Sequence, residues 1–227
     1  MSSRPALVSL TFDDGLRCQF ERAVPILDKY DLRATFFLIA NKQPRHENTW
    51  SKIEWHERDI SMLKEMAQQG HEIASHTLNH RPPTMQNLEA HQSKRLIKEW
   101  MGGMEIPSFA YPFYAIDQTI RNSVINAGYQ QARTGPHQSY YASPSSVDWF
   151  AVDCRQIMPT GDVVSTWVKP ACWHVLTFHG IGGAQDGWEP ITVGEFTRQM
   201  AELAKLRDSG AVEIVTFKDG ADRMRTW

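Results

Sequence analysis

From end to end the chain alternates short apolar runs of strand length with longer amphipathic ones, and this rhythm limits its possible folds more than any other feature. The short runs are residues 6–12, 34–40, 72–75, 129–132, 149–152, 173–178 and 211–217, rich in β-branched or aromatic residues. Between them Phe20, Ala23, Val24 and Leu27 recur at three-to-four spacing, as do Ile60, Leu63, Met66 and Ala67, a second helix predicted to stop at Gly70. The clearest helix is predicted to start at Thr192. There a T-x-x-E pattern lets Glu195 complete a capping box, Phe196, Met200, Leu203 and Leu206 fall on one stripe, and Gly210 marks the end. Strands alternating with helices read as βα units around a parallel sheet, and their number favours an α/β barrel-like closure, with an open doubly wound sheet as the alternative.

Length and composition narrow the class further. The 227 residues, 41% hydrophobic and 22% charged, suffice for one substantial core, so a single domain over 1–227 is expected and disordered or collagen-like structure is excluded. Lys plus Arg total 24 against 26 for Asp plus Glu, a net charge of −2, and no basic stretch resembles a surface that tracks phosphates, which argues against nucleic acid as a partner. No run approaches the roughly 18 apolar residues of a membrane span. No charged-then-apolar signal precedes the first strand-like run, so the chain as written reads as cytoplasmic, although a leader already removed would leave the same trace. Cys18, Cys154 and Cys172 are odd in number, widely spaced and free of any CxxC pair, which argues against a disulfide framework or a cysteine zinc site and reads them as buried small hydrophobes.

Three clusters follow strand-like runs. Asp13-Asp14-Gly15 ends the first; two adjacent carboxylates there resist burial unless a cation or hydrogen bonds offset the cost, while the tripeptide alone reads first as a solvated turn. His76 and His80 follow the third; at i and i+4 they share one face if the segment turns helically, close enough to chelate one ion, and Thr77 in place of a glutamate disfavours an HExxH protease. His179 ends 173–178 before a glycine-rich loop, and alone it reads as a core histidine satisfied by a carbonyl. All three occupy the end of the strands where α/β architectures gather reactive groups. A carboxylate and two imidazoles form a ligand set for a divalent cation, and the remaining carboxylate and histidine form an acid/base pair.

In their order and context these motifs resemble the polysaccharide deacetylases of the NodB-homology type, carbohydrate esterase family four. TFDDG at 11–15, H-T-x-x-H at 76–80 and L-x-x-H at 176–179 carry the resemblance, with TFFL at 35–38 similar to the family's second strand. It implies a distorted (β/α) barrel with the site at strand C-terminal ends, in which Asp14, His76 and His80 hold a divalent metal, Asp13 is the general base and His179 the general acid. It also implies that Leu176 lines the acetyl-methyl pocket. The family's R-x-P-Y motif aligns with Ala110-Tyr111-Pro112-Phe113, so Tyr111 and Phe113 are expected to line the substrate site, with the Phe113 amide as an oxyanion donor. The motif's arginine, which orients the base carboxylate, is missing at Ala110; Arg133, after another predicted strand, is the candidate replacement. Asp148-Trp149 is the nearest match to an Asp-Trp pair that supports the acid, with Asp148 equally a cap or turn residue.

The expected reaction is metal-dependent removal of an N-acetyl group from an amino sugar or oligosaccharide. Zinc is the first choice of ion, and cobalt, nickel, manganese or iron are compatible with the same ligands. Hydrolysis of another small amide, such as a cyclic imide or ureide, and a non-catalytic carbohydrate binder are the alternatives. The substrate is a small molecule or carbohydrate; oligomeric state is not legible. Loops are expected over 134–147 and 180–190. Trp50 and Trp188 are exposed-indole candidates for stacking on a sugar, and Tyr140 and Tyr141 could border the cleft. His46, His56, His71, His91, His137 and His174 read as surface or satisfied core residues, and 218–225 as a segment packing on its own barrel or a neighbour.

Overall fold

The computed structural model describes residues 4–41, 55–81, 89–136, 140–158 and 168–227. Its strands are β1 (Ala6–Phe12), β2 (Ala34–Leu38), β3 (Glu72–Ser75), β4 (Ser108–Ala110), β5 (Gln131–Arg133), β6 (Arg155–Gln156), β7 (Trp173–Phe178) and β8 (Val212–Ile214). The helices are α1 (Val24–Lys29), led in by a π-helical turn over Gln19–Ala23, then α2 (Glu57–Gln68), α3 (Glu89–Trp100), α4 (Gln118–Asn126), α5 (Val193–Asp208) and α6 (Phe217–Arg225). All seven residues of β1 are buried, as a parallel strand covered on both faces requires. Its first half pairs with β8 and its second half with β2, while β7 runs along its other side from Leu7 opposite Trp173 to Phe12 opposite Phe178.

The strand order β5-β4-β3-β2-β1-β7-β6 is parallel throughout and curls toward closure. One short stretch spans the gap. Val152 bridges Arg133 at one edge, and three residues on Arg155 lies opposite Leu176 at the other. The run predicted as a strand at 149–152 is therefore a single bridge, tied to the β5 segment by Ala132 N to Trp149 O, Val152 N to Ala132 O and Thr134 N to Val152 O. The run at 34–40 is a strand only to Leu38, that at 129–132 moves to Gln131–Arg133, and that at 211–217 divides into β8 and the start of α6.

Alternation sorts the side chains. Outward, Phe12 stacks on Phe36 and Phe178 and meets Phe196 of α5 edge-on, each aromatic pair adding ~1 kcal/mol beyond burial. α5 begins as predicted, with Thr192 accepting from Glu195 N, but the Glu195 carboxylate takes Arg198 and Gln199 rather than completing a capping box. Inward, Leu7, Phe37, Ala74, Ala110 and Val175 form a second core with Phe217, Ala221 and Met224 of α6. Residues 218–225 thus plug the N-terminal end of their own barrel. Gly220 permits the close approach, since a Cβ there would lie 2.5 Å from Trp173 Nε1.

Under α6 lies Glu72, whose Oε2 accepts from Thr35 Oγ1 and Lys218 N while its buried Oε1 has no close hydrogen-bond partner among the described residues. Burial raises its pKa, so the folded state favours the protonated acid and stability falls as pH rises above the ordinary glutamate range. Glu72→Gln is expected to be more stable than the parent by ~1 kcal/mol at pH 8 and to lose that advantage near pH 4, read by urea denaturation at both pH values.

Tyr141 is buried, pairs with Trp173 and accepts from Asp153 N, and Tyr140 packs on His174. Both lie beside the start of β7, at the opposite end from the strand C-termini, and do not border the cleft. The three cysteines are free and buried. His71 is buried with Nδ1 accepting from Ala34 N, His174 contacts Lys169, His56 precedes α2 and His91 is exposed. Trp50, His46 and His137 fall outside the described residues. Among the described residues no helix is long and apolar enough to cross a membrane.

Candidate active site

At the C-terminal end of β1 an extended chain would send successive side chains to opposite faces. Asp14 breaks that alternation with φ 79°, and both carboxylates consequently line one cavity of about 340 Å³ together with His76, His80, Phe113, Tyr114, His179 and Trp188. Left-handed backbone recurs around it, at Thr77, His80, Phe113 and Tyr114, a concentration of strain that surrounding structure must hold in place.

The two histidines of the third strand's end meet, but not on a helix. Thr77 (φ 68°) and His80 (φ 52°) fold 77–80 into a loop in which His80 N donates to Thr77 Oγ1, and this brings the imidazole centroids to 4.9 Å. Their Nε2 atoms stand 3.7 Å (His76) and 3.4 Å (His80) from Asp14 Oδ1. Ligand atoms of all three residues lie within 4.8 Å of one another, a spacing that one ion spans. His76 Nδ1 lies 2.9 Å from Ala110 O; a carbonyl only accepts, so that nitrogen carries the proton and Nε2 keeps its lone pair toward Asp14. Burial first, then the neighbouring His80, hold the His76 pKa well below the ordinary value, so the ring is neutral. A neutral imidazole with an oriented lone pair beside a buried carboxylate fits a divalent cation.

Asp13 sits beside this triad. Its Oδ2 accepts from Arg133 Nη2 and lies 3.7 Å from His179 Nε2, while Oδ1, also buried, has no hydrogen-bond partner among the described residues. Arg133 is fully buried between the rings of Phe37 and Tyr114, its other terminal nitrogen on Cys154 Sγ. Burial opposes its charge, but Asp13, aided by Cys154 and Tyr114, outweighs this and keeps the pKa above the ordinary arginine value. In the β4–β5 register Arg133 is the partner of Ala110. The guanidinium therefore comes from the position level with the one where the family motif has its arginine, one strand over.

Three expected site residues lie elsewhere. Asp148 is held by both terminal nitrogens of Arg121 at 2.7 and 2.6 Å and accepts from Phe150 N, so it is a half-exposed turn residue outside the cavity. Tyr111 is fully buried on the outward face, its hydroxyl donating to Phe150 O. Leu176 is also in the outward core, because three positions before His179 is an odd step on a strand and reverses the face. Thr177 has the correct parity; it is buried and hydrogen-bonded to Thr11 Oγ1. Phe113 does line the cavity, its ring 4.5 Å from that of His80. Trp188 reaches it from the 180–190 loop and meets His179 edge-on at 4.9 Å. Tyr114 also lines the cavity, one residue beyond the motif that pointed to Phe113; nothing in its own spacing signals it.

Residues 2–132 match the family model described as polysaccharide deacetylase, more than half of the chain, and the chain belongs to that family. Among its relatives is the Bacillus subtilis protein YxkH, 32% identical over 132 residues that cover 56% of this chain and 44% of that protein. A peptidoglycan-N-acetylglucosamine deacetylase of Bacillus cereus is 25% identical over 138 residues, 58% of each chain. These matches span less than two thirds of either relative's length. Among solved structures, a family 4 acetyl xylan esterase from Clostridium thermocellum, in complex with a cobalt ion, superposes with a TM-score of 0.63 at 19% identity over 96% of this chain and 91% of that one. That likeness carries the fold: a curled, parallel-stranded, distorted barrel of the NodB type.

Proposed function

We propose that the chain hydrolyses the N-acetyl amide of an amino sugar within an oligosaccharide or polysaccharide, with Asp14, His76 and His80 as ligands of a divalent cation, zinc first among the candidates. The observation that carries this reading is the convergence of that ligand set with an anchored carboxylate and a third histidine in one cavity. A cation bound there supplies Lewis acidity that polarises the acyl oxygen and loosens the proton of water. Asp13 Oδ1 accepts that proton as the water oxygen bonds to the acyl carbon; Oδ2 stays with Arg133, which keeps the carboxylate aimed. The Phe113 amide is the donor proposed for the developing oxyanion. His179 delivers a proton to the nitrogen as the C–N bond breaks, releasing acetate and a free amine. Membership of the family and the named activity of the Bacillus cereus relative support the N-acetyl substrate.

The test is acetate release from N-acetylglucosamine oligomers by metal-replete protein, alongside a panel of cyclic imides and ureides. Acetate release supports the reading; ring opening alone transfers the machinery to a small cyclic amide, and sugar binding without turnover makes the protein a binder. The exposed aromatics Phe113 and Trp188 at the cavity favour a sugar, whose apolar ring face stacks on such surfaces. Trp188→Ala is accordingly expected to raise KM for the oligomers about fivefold, ~1 kcal/mol, with kcat changed less, measured by steady-state kinetics.

A further inference from the structure

The β1–β7 ladder ends just where the chemistry begins. Its last backbone bond runs from Asp13 N to Phe178 O at 3.1 Å, after which β1 turns away at Asp14. The next two carbonyls, of Asp13 and His179, face a donor that is not backbone. Gln19, fully buried at the head of the π-helical turn, donates from its single Nε2 to Asp13 O at 2.6 Å and to His179 O at 2.9 Å. Its Oε1 accepts from Leu16 N at 3.1 Å, and its own N–H returns to Leu16 O at 3.0 Å.

We propose that Gln19 is a positioning residue that sets the separation of Asp13 and His179 by replacing the missing rung of the sheet with a side-chain amide. The inference rests on the acid and base roles proposed above. Only a carboxamide offers two N–H donors on one nitrogen and an acceptor beside it without bringing charge. Both carbonyls are thereby satisfied, and the residues that carry the base and the acid are tied through one group. The reciprocal bonds to Leu16 fix that group to the loop leaving Asp14. Single-turn π-helices concentrate at functional sites, and here the turn delivers the glutamine. The effect should fall on turnover rather than binding, because displacing a proton-transfer group by about 1 Å can cost ~10²-fold in rate.

The test uses Gln19→Glu, which keeps the volume and the acceptor for Leu16 N but removes the donor, and Gln19→Met, which keeps only the volume. In crystal structures of the variants the Asp13 Oδ2 to His179 Nε2 distance is expected to lengthen from 3.7 Å. The kcat of each is expected to fall about 10- to 100-fold with KM within about twofold and bound-metal content unchanged. On lowering the pH, Gln19→Glu should regain activity relative to Gln19→Met, since a neutral carboxyl can donate to one of the two carbonyls. An unchanged separation, parental kcat in a folded variant, or loss of metal in step with activity would each overturn the proposal. If the parent releases no acetate, the functional reading fails, and the crystallographic separation still decides the role of Gln19.

Discussion

Alanine at position 14 is expected to remove the divalent cation from the protein and to lower kcat/KM for acetate release by about 10³-fold or more, several kcal/mol of lost Lewis-acid stabilisation. Asp14 is the residue that both imidazoles face, at 3.4 and 3.7 Å, and it supplies the negative charge of the ligand set. Metal analysis of the purified variant reads the first effect directly. A second readout needs no substrate. A cation present at a hundred times its dissociation constant stabilises the folded parent by about 2.7 kcal/mol. For a chain of this length that raises Tm by roughly 5–10 °C. Asp14→Ala should show no such rise, whereas Asp13→Asn should show it in full and yet turn over no substrate. Retention of stoichiometric metal and near-parental turnover by Asp14→Ala would remove the basis of the proposed chemistry.

The site was legible where a motif coincides with the end of a long strand, and illegible where geometry depends on parity or on very short elements. β1 and β7 are seven and six residues long and predominantly apolar, enough for their bounds to be read directly from sequence, and they deliver Asp13, Asp14 and His179 to one end of the barrel. β4 and β6, of three and two residues, lie below any periodicity, so the closure of the barrel through Val152 and Arg155 left no pattern to find. The i, i+4 spacing of the histidine pair predicts a helical turn, whereas left-handed Thr77 and His80 bring the rings together, and a β-branched threonine gives no signal of positive φ. Leu176 rests on the resemblance alone, and strand parity counted from His179 points to Thr177 instead. Asp148 matched by residue type alone, and no local rule could show that Arg121 on α4 holds it. Gln19 carries no signal in the sequence because its partners include a carbonyl 160 residues away.

Arg133→Met is expected to destabilise the protein by about 3–5 kcal/mol, because it leaves the Asp13 carboxylate buried without its counter-charge, and to cut turnover by about 10²-fold through loss of orientation. Both partners are essentially inaccessible to solvent, so neither water nor salt can take the guanidinium's place. Adding Asp13→Asn to Arg133→Met should restore most of the stability and none of the turnover, which separates the folding role of the pair from its role in proton transfer. The register supplies a sharper experiment. Partners in parallel strands present their side chains to the same face, and Ala110 is the partner of Arg133 on the interior of the barrel. Moving the arginine sideways, as Ala110→Arg combined with Arg133→Ala, therefore returns a guanidinium to the same level while vacating the volume between Phe37 and Tyr114. The double variant is expected to regain at least about tenfold in kcat over Arg133→Ala, ~1.4 kcal/mol, with bound metal unchanged in all three proteins. If it folds with parental Tm and recovers nothing, the strand of origin matters as much as the charge, and Arg133 does more for Asp13 than the orientation and neutralisation derived from this structure.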